Sequence, residues 1–278
     1  MSEKLITLLA IGGSDPCGGA GIQADIRAGV SLGLHIATAI TSVTVQNSSG
    51  LKKTGQLNSS LLKEQLEAIS EDVFPNAVKI GMIGSLENGK VISEFISSLP
   101  DEVPIVVDPV LSASAGGILS SSSLEELMLL YQNDIIPYCT AVTPNIEEGR
   151  LFLQFNERKT NKSPEALSSE LLGIWNCNAV ILKGGHGEDK IITDYIADNF
   201  DGVSVISKTS HPRLDCNNLH GTGCVFSSFL ASYLALGFPL IEAFMKTSNK
   251  MYEVIRRSGN YSFGKTNYGP LNINEYRL

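Results

Sequence analysis

The sequence lacks any apolar run of the roughly 20 residues that a membrane-spanning helix requires. The apolar segment nearest the N-terminus, residues 5–11, is short, contains Thr7, and leads into Gly-Gly-Ser-Asp where a signal peptide would have a small-residue cleavage site. We therefore interpret this segment as a first β-strand and expect neither a signal peptide nor a membrane partner.

Cysteines are few, and basic residues are outnumbered by acidic ones. The five cysteines form an odd set without Cys-x-x-Cys spacing, which argues against a disulfide framework and against a structural zinc site. A reducing cytoplasm is therefore the expected compartment. The 21 Lys and Arg residues face 29 Asp and Glu residues, giving a net charge of −8. No nucleic-acid partner is expected, because such proteins need clustered basic residues.

Hydrophobic residues make up 43% of the 278 residues, which is typical of a globular chain. Short apolar strands alternate with helical segments. The predicted strands are residues 5–11, 37–45, 77–83, 105–108, 141–143 and 179–182, and the predicted helices are 23–32, 61–72, 89–97, 124–131, 146–154 and 164–175. A hairpin at 191–197 and 203–208 and two helices at 221–236 and 240–256 complete the chain. This order predicts a single α/β domain over residues 1–278, a doubly wound, mostly parallel sheet covered by helices on both faces.

Ligands of such sheets bind beyond the carboxyl ends of the strands, so the strand-to-helix junctions are where a site is expected. The first junction, residues 12–21, holds five glycines in ten positions, which allow the backbone to approach a ligand closely. A tight turn or a dinucleotide site are the alternatives. The second is weakened because the segment does not match Gly-x-Gly-x-x-Gly and no acidic residue ends a second strand.

Two further junctions carry side chains suited to a small aromatic ring. Gln46 follows a strand, and its amide can both donate and accept hydrogen bonds at the edge of an aminopyrimidine or pyridine. Met82 lies at the end of the next predicted strand and offers an adaptable pocket wall. The alternatives are a solvated loop for Gln46 and ordinary core for Met82.

Charged residues at three later junctions are suited to phosphates. Asp108 follows an apolar strand, where it would tend to hold Mg²⁺. Asn145 and Glu148 share one face of a helix start, although helix capping explains the same pattern. Lys183 can reach nucleotide phosphates as a point charge. His186, in the loop that follows, is interpreted as a solvated histidine without chemistry.

The sharpest pattern is the Gly-Thr-Gly-Cys turn at residues 221–224, which opens a long apolar helix. The free N–H groups of a first helical turn form an anion hole that can stabilise a phosphoryl group in transfer. Cys224 lies in that same turn, where the helix dipole is expected to lower the pKa of the thiol. A thiolate there could accept a hydroxyl proton as general base. The alternative is a small buried cysteine at a tight helix entry.

Together these motifs resemble the hydroxymethylpyrimidine/phosphomethylpyrimidine kinases of thiamine biosynthesis, a family of the ribokinase superfamily. The likeness spans nearly the whole chain. It is carried by the glycine-rich segment 12–25, Val-Gln-Asn at 45–47, Lys-Ile-Gly-Met-Ile-Gly at 79–84, Asp-Pro-Val at 108–110, Thr-Pro-Asn-Ile-Glu-Glu at 143–148, Leu-Lys-Gly-Gly-His at 182–186, His-Gly-Thr-Gly-Cys at 220–224 and Gly-Pro-Leu-Asn at 269–272.

The resemblance implies a ribokinase-like αβα sandwich and an ATP- and Mg²⁺-dependent kinase that is usually a homodimer. It implies that 4-amino-5-hydroxymethyl-2-methylpyrimidine is phosphorylated, and then its monophosphate. By motif, the pyrimidine pocket would be lined by Gly13, Ala20, Asp25, Gln46, Met82 and Val110. Asp108 and Glu148 would bind Mg²⁺ and the phosphates, and Lys183 and Thr222 would contact the nucleotide. Gly221 and Gly223 would help to form the anion hole, and Cys224 would be the general base.

The chain departs from the family pattern at Cys17, where Ser is usual, at Leu219, where Thr often stands, and at residues 115–117. These changes leave the substrate open, and a pyridoxal kinase on the same scaffold is the nearest alternative. A non-catalytic nucleotide-binding protein and a dinucleotide-dependent oxidoreductase are the alternatives from other classes.

Overall fold

The computed structural model describes residues 5–111, 123–185, 189–200, 203–259, 261–266 and 268–275. The predicted features at residues 115–117 and at His186 lie outside these ranges. The described strands are β1 Thr7–Ser14, β2 His35–Asn47, β3 Gly50–Gln56, β4 Ala77–Ile80, β5 Ile105–Val107, β6 Ala141–Val142, β7 Ala179–Leu182, β8 Ile191–Phe200 and β9 Val203–Pro212. The described helices are α1 Gly21–Ser31, α2 Ser59–Asp72, α3 Leu86–Ser97, α4 Leu124–Leu130, α5 Ile146–Phe155, α6 Pro164–Ile174, α7 Thr222–Ala235 and α8 Leu240–Ser258.

Within these ranges the strands form one sheet of nine, in the order β3-β2-β1-β4-β5-β6-β7-β8-β9. Neighbours from β2 to β7 pair in parallel, whereas β3 pairs antiparallel with β2, and β8 and β9 form an antiparallel hairpin beside β7. The chain leaves β1 toward β2 and later returns to its other side with β4. Such a switch point opens a crevice at the carboxyl ends of the strands.

Two cores lie on opposite faces of the sheet. Successive residues of β1 point to different faces, so Leu9 joins the core under α2 to α6 while Leu8 joins the core under α1, α7 and α8. Helix α7 contributes Phe229, which is fully buried in the second core. The predicted three-layer αβα arrangement with a mostly parallel sheet is therefore confirmed.

Several element boundaries differ from the prediction. The edge strand β3 was not predicted, because its sequence Gly-Leu-Lys-Lys-Thr-Gly-Gln combines lysines and glycines that are depleted in strands. Helix α3 begins at Leu86 and not at residue 89, since the Ser85 side chain accepts a hydrogen bond from the N–H of Asn88 and caps the helix. The helix predicted at 124–131 leaves the α-form after Leu130 and continues as a π-helical turn.

The strands predicted at 5–11 and 77–83 run over Thr7–Ser14 and Ala77–Ile80. Among the described residues, no helix is both long enough and apolar enough to cross a membrane.

Candidate active site

The N-terminal end of helix α7 packs against the first glycine-rich loop. Its N-cap, Gly221, has a φ of 83°, a conformation that favours glycine. A Cβ added there would overlap the carbonyl oxygen of Gly19, so the close approach also requires glycine. Two residues further along the helix, a Cβ added to Gly223 would lie 3.3 Å from Asp108 Oδ2 and 3.4 Å from Lys183 Nζ. The helix start therefore faces the ends of both β5 and β7.

A cavity of about 470 Å³ opens at this helix entry, within the range of small-ligand sites. The structure brings every predicted site residue to its wall: Gly13, Ala20, Asp25, Gln46, Met82, Val110, Asp108, Glu148, Lys183, Thr222, Gly221, Gly223 and Cys224. The prediction that the α7 entry and the first glycine loop share one pocket is confirmed, while the individual roles stay predictions.

The residues that end β5 and β7 form an ion pair at the cavity wall. Lys183 Nζ lies 2.7 Å from Asp108 Oδ1, and the two side chains are only 11% and 4% exposed. Both follow directly after parallel strands, whose ladder is extended by the N–H of Asp108 to Ile80 and the N–H of Lys183 to Pro144. The sheet thus delivers one anion and one cation to the same point.

Glu148 caps its own helix and also faces this pair. Its carboxylate accepts the N–H of Asn145 at 2.8 Å, and the Asn145 side chain accepts the N–H of Glu148 at 2.8 Å. Both expectations for this motif therefore hold at once, since the capping residues also line the cavity. Burial raises the pKa of Glu148 to about 7, opposed by the charge of Lys183 and assisted by that of Asp108.

Two carboxylates that repel each other are a donor set suited to a hard cation, because Mg²⁺ prefers oxygen ligands and keeps several waters. Among the described residues no group of three or more His, Cys, Asp and Glu side chains could hold a metal ion. Asp108 and Glu148 supply oxygen donors of the kind that Mg²⁺ prefers, and their role as magnesium ligands stays a prediction.

Cys224 corrects one prediction. The thiol was expected to have a lowered pKa, but burial raises the pKa of Cys224 to about 11. The charge of Lys79 and the N–H of Gly21 lower the pKa, yet they do not offset burial and the nearby acidic groups. Cys224 lines the cavity but is partly buried against the core under α1, α7 and α8, and such surroundings favour the neutral thiol.

Asp25 is engaged by an ion pair in the wall of the cavity. Both of its oxygens accept hydrogen bonds from Lys79 Nζ, at 2.9 and 3.0 Å, and Ser228 Oγ donates to Asp25 Oδ1 at 2.7 Å. The side chains of Lys79 and Asp25 are 1% and 0% exposed. Burial lowers the pKa of Lys79, but the charges of Asp25, Cys224 and Asp108 and the hydrogen bond to Asp25 together outweigh burial, so the pKa of Lys79 lies above its ordinary value. This pair joins β4, α1 and α7 beneath the pocket.

Sequence reasoning did not assign a role to three polar residues at the site, Asp15, His220 and Asp194. Asp15 in the first loop and His220 before α7 lie 2.9 Å apart, and His220 also contacts Gln46. Asp194 of β8 accepts hydrogen bonds from the N–H of Gly184 and from Ser248 Oγ, so it holds the loop that follows Lys183. The acidic residue among glycines was a signal for Asp15, whereas nothing in the sequence of β8 distinguished Asp194.

The chain matches a known protein family in sequence. The family model described as phosphomethylpyrimidine kinase matches residues 15–272. The hydroxymethylpyrimidine/phosphomethylpyrimidine kinase of Bacillus subtilis (strain 168) is 35% identical over 272 residues, covering 95% of this chain and 93% of that protein. The corresponding kinase of Rhizobium meliloti (strain 1021) is 31% identical over 257 residues, covering 92% of this chain and 93% of that protein.

Solved structures agree in fold. The phosphomethylpyrimidine kinase of Clostridium difficile 630 has a TM-score of 0.73 and 31% identity, covering 90% of this chain and 99% of that one. The pyridoxal kinase of Staphylococcus aureus in complex with ADP has a TM-score of 0.81 at 24% identity, covering 99% and 95%. The second likeness is one of fold alone, and the predicted ribokinase-like fold is confirmed.

Proposed function

Because the chain belongs to the phosphomethylpyrimidine kinase family and is a phosphotransferase, we propose that it transfers the γ-phosphoryl group of ATP to the hydroxymethyl group of 4-amino-5-hydroxymethyl-2-methylpyrimidine, and then to the resulting monophosphate. The observation that carries the proposal is the single cavity bounded by the first glycine loop, Gln46, and the entry of α7. A ring held by the first two would present its hydroxymethyl group to the third.

The phosphate end of the cavity suits a triphosphate. Lys183 and the N–H groups at the start of α7 supply positive charge and donors, which match charge on the transferred group. Magnesium held by Asp108 and Glu148 would neutralise charge on the phosphates when bound. Beyond Lys183 the wall turns aromatic and apolar, where α8 contributes Met251 and Tyr252, a surface suited to a purine ring.

Cys224 lies next to the position that we propose for the substrate hydroxyl. As the hydroxyl oxygen bonds to the γ-phosphorus, the bond from that phosphorus to the leaving ADP oxygen breaks, and the hydroxyl proton passes to the Cys224 sulfur in its thiolate form. A thiol with a pKa of about 11 is mostly protonated at neutral pH. In a loose phosphoryl-transfer transition state the hydroxyl needs positioning more than early deprotonation. The neutral thiol of Cys224 therefore orients the hydroxyl, and the hydroxyl proton is accepted by the small fraction of Cys224 that is a thiolate.

Product analysis tests this proposal directly. The protein is mixed with ATP, Mg²⁺ and either the pyrimidine alcohol or pyridoxal, and phosphates on each product are counted by mass spectrometry. We expect one and then two phosphates on the pyrimidine. A kcat/KM about tenfold or more higher for pyridoxal, or binding without turnover of any alcohol, would overturn the substrate assignment.

The Cys224→Ala variant tests the proton acceptor. We expect loss of most turnover, with ATP binding by calorimetry largely unchanged, because the thiol lies at the hydroxyl and not at the phosphates. Cys17→Ala is the matched control, since Cys17 lies in the first loop with its thiol directed to the carbonyl of Gln46 at 3.5 Å. A near-normal kcat in Cys224→Ala would exclude the cysteine as base. The single domain, the homodimer and the cytoplasmic location remain predictions.

A further inference from the structure

The imidazole nitrogen Nε2 of His220 lies between a hydrogen-bond acceptor and a hydrogen-bond donor. His220 is 8% exposed. Its Nε2 lies 2.9 Å from Asp15 Oδ2 and 3.1 Å from the amide nitrogen Nε2 of Gln46. A carboxylate oxygen accepts a proton, whereas an amide nitrogen donates one. A ring nitrogen that carries a proton can satisfy only the first, and one that carries a lone pair can satisfy only the second.

The surroundings of Asp15 decide between these states. Its Oδ2 also accepts the N–H groups of Gly19 and Ala20 at 3.1 and 2.9 Å, and its Oδ1 accepts that of Cys17 at 2.9 Å. Burial raises the pKa of Asp15, but hydrogen bonds from His220 and from the N–H groups of Ala20 and Cys17 help to outweigh burial and bring the pKa below its ordinary value. Asp15 is thus an ionised acceptor, and the proton belongs on His220 Nε2.

The other ring nitrogen supports the same assignment. His220 Nδ1 is buried and has no hydrogen-bond partner among the described residues. A buried N–H without an acceptor is rarer and more costly than a buried lone pair without a donor. A proton on Nδ1, in either the other tautomer or the imidazolium, would create such a group. The contacts of the ring therefore favour a proton on Nε2.

This assignment determines the orientation of Gln46. Nitrogen and oxygen of an amide have nearly the same shape, so the hydrogen-bond network decides which of them faces His220. Resting on the function proposed above, we propose that His220, held by Asp15, turns the Gln46 amide with its oxygen toward the imidazole and its NH₂ toward the cavity. The site then selects a ring that has an acceptor nitrogen next to an amino-bearing carbon.

The selection follows from the atoms that each ring offers. The Gln46 NH₂ donates to the ring nitrogen. The amide oxygen, which has two lone pairs, accepts from the ligand amino group and shares the His220 Nε2–H with Asp15 in a three-centre hydrogen bond. An aminopyrimidine offers this pair of neighbouring groups. In pyridoxal a carbon separates the ring nitrogen from the hydroxyl-bearing carbon, so only one of the two bonds can form. His220 is in this sense a positioning residue for substrate recognition.

Selectivity between two matched ligands tests the proposal. The ligands are the pyrimidine alcohol and its analogue in which the ring nitrogen beside the amino-bearing carbon is a C–H. We expect wild-type kcat/KM to favour the pyrimidine by about tenfold, the value of one hydrogen bond, and chiefly through KM. In His220→Phe this preference should fall to about twofold or less. His220→Gln should keep it, because its amide can donate to both Asp15 and Gln46. His35→Gln, at an exposed histidine, is the matched control.

The tautomer itself can be measured without relying on activity. The chain has four histidines, and ¹⁵N labelling of their rings gives separate signals for protonated and bare nitrogens. The set that disappears in His220→Gln belongs to His220. We expect a protonated Nε2 at neutral pH. A bare Nε2 would overturn the proposal even if His220→Phe failed to fold, and so would an undiminished preference in a folded His220→Phe. Failure of the proposed function would appear separately, as absence of pyrimidine turnover in the wild type.

Discussion

The Lys79→Met substitution breaks the buried ion pair beneath the pocket. Methionine has nearly the length of lysine, so packing changes little while the charge is lost. Among the described residues, Asp25, whose side chain is 0% exposed, then retains the hydrogen bond from Ser228 alone. Removing one partner of a buried pair typically costs about 3–5 kcal/mol, because the remaining charge is left without compensation. For a chain of this size that loss corresponds to a fall in Tm of roughly 10 °C.

Thermal unfolding followed by circular dichroism measures this loss, and the chain supplies a matched control. Lys63 pairs with Glu67 at 3.9 Å, and both side chains are 58% exposed. Exposed pairs contribute about 0–1 kcal/mol, so Lys63→Met should shift the Tm by about 2 °C at most. The two substitutions are chemically identical, and only the burial of the lysine differs between them.

A second variant separates charge from packing. In Lys79→Met/Asp25→Asn the uncompensated carboxylate becomes a neutral amide that can still accept the bond from Ser228. Most of the lost stability should therefore return, since neutral replacements of buried pairs are often tolerated. If Lys79→Met unfolded at the same temperature as Lys63→Met, or if the double variant were no more stable than Lys79→Met, the assignment of a structural ion pair would be wrong.

Three further predictions concern groups at the cavity. Because the pKa of Cys224 is about 11 and exceeds its ordinary value of 9.0, alkylation of Cys224 by iodoacetamide should still rise about tenfold per pH unit near pH 10, and a plateau below pH 9 would contradict this. Because burial raises the pKa of Glu148 from 4.5 to about 7, protonated Glu148 stabilises the ligand-free fold below pH 4.5, and this contribution is lost as the pH rises to about 7. In calorimetric melts the Glu148→Gln variant should lose less Tm over that interval than the wild type, and parallel curves would refute the assignment. Gly221→Ala should lower both Tm and kcat because the added methyl meets the carbonyl of Gly19, whereas Gly237→Ala is a strain control with a similar φ of 84° and no atom within 4 Å of the added methyl.

The layers of the fold and the location of the site could be predicted from sequence because both depend on local patterns. Continuous apolar strands such as Ala179–Leu182 require cover on both faces, and each polar residue after such a strand falls at the same edge of the sheet. Asp108 and Lys183 therefore had to lie near each other once the strand order was parallel. The edge strand β3 escaped because edge strands are held by backbone pairing with β2 and carry no apolar pattern.

The electrostatics of the site could not be predicted in the same way. The expected fall in the pKa of Cys224 used one local cause, the helix dipole, and burial by distant elements outweighed it. The pairings of Asp15 with His220 and of Asp25 with Lys79 join residues that are 205 and 54 positions apart. The residues around a single lysine or histidine in the sequence do not indicate which distant residue will be its partner in the folded structure.

The pocket draws its walls from opposite ends of the chain, with the first glycine loop within residues 12–21 and the α7 entry at residues 221–224. A chain that ends before residue 220 therefore contains the first glycine loop but lacks the start of α7, which forms the opposite wall of the cavity. His220 further requires the carbonyl of Gly269, 3.1 Å from its own N–H, to be in place. We therefore expect a fragment that ends before residue 220 to lack phosphoryl-transfer activity, because only one wall of the cavity is present.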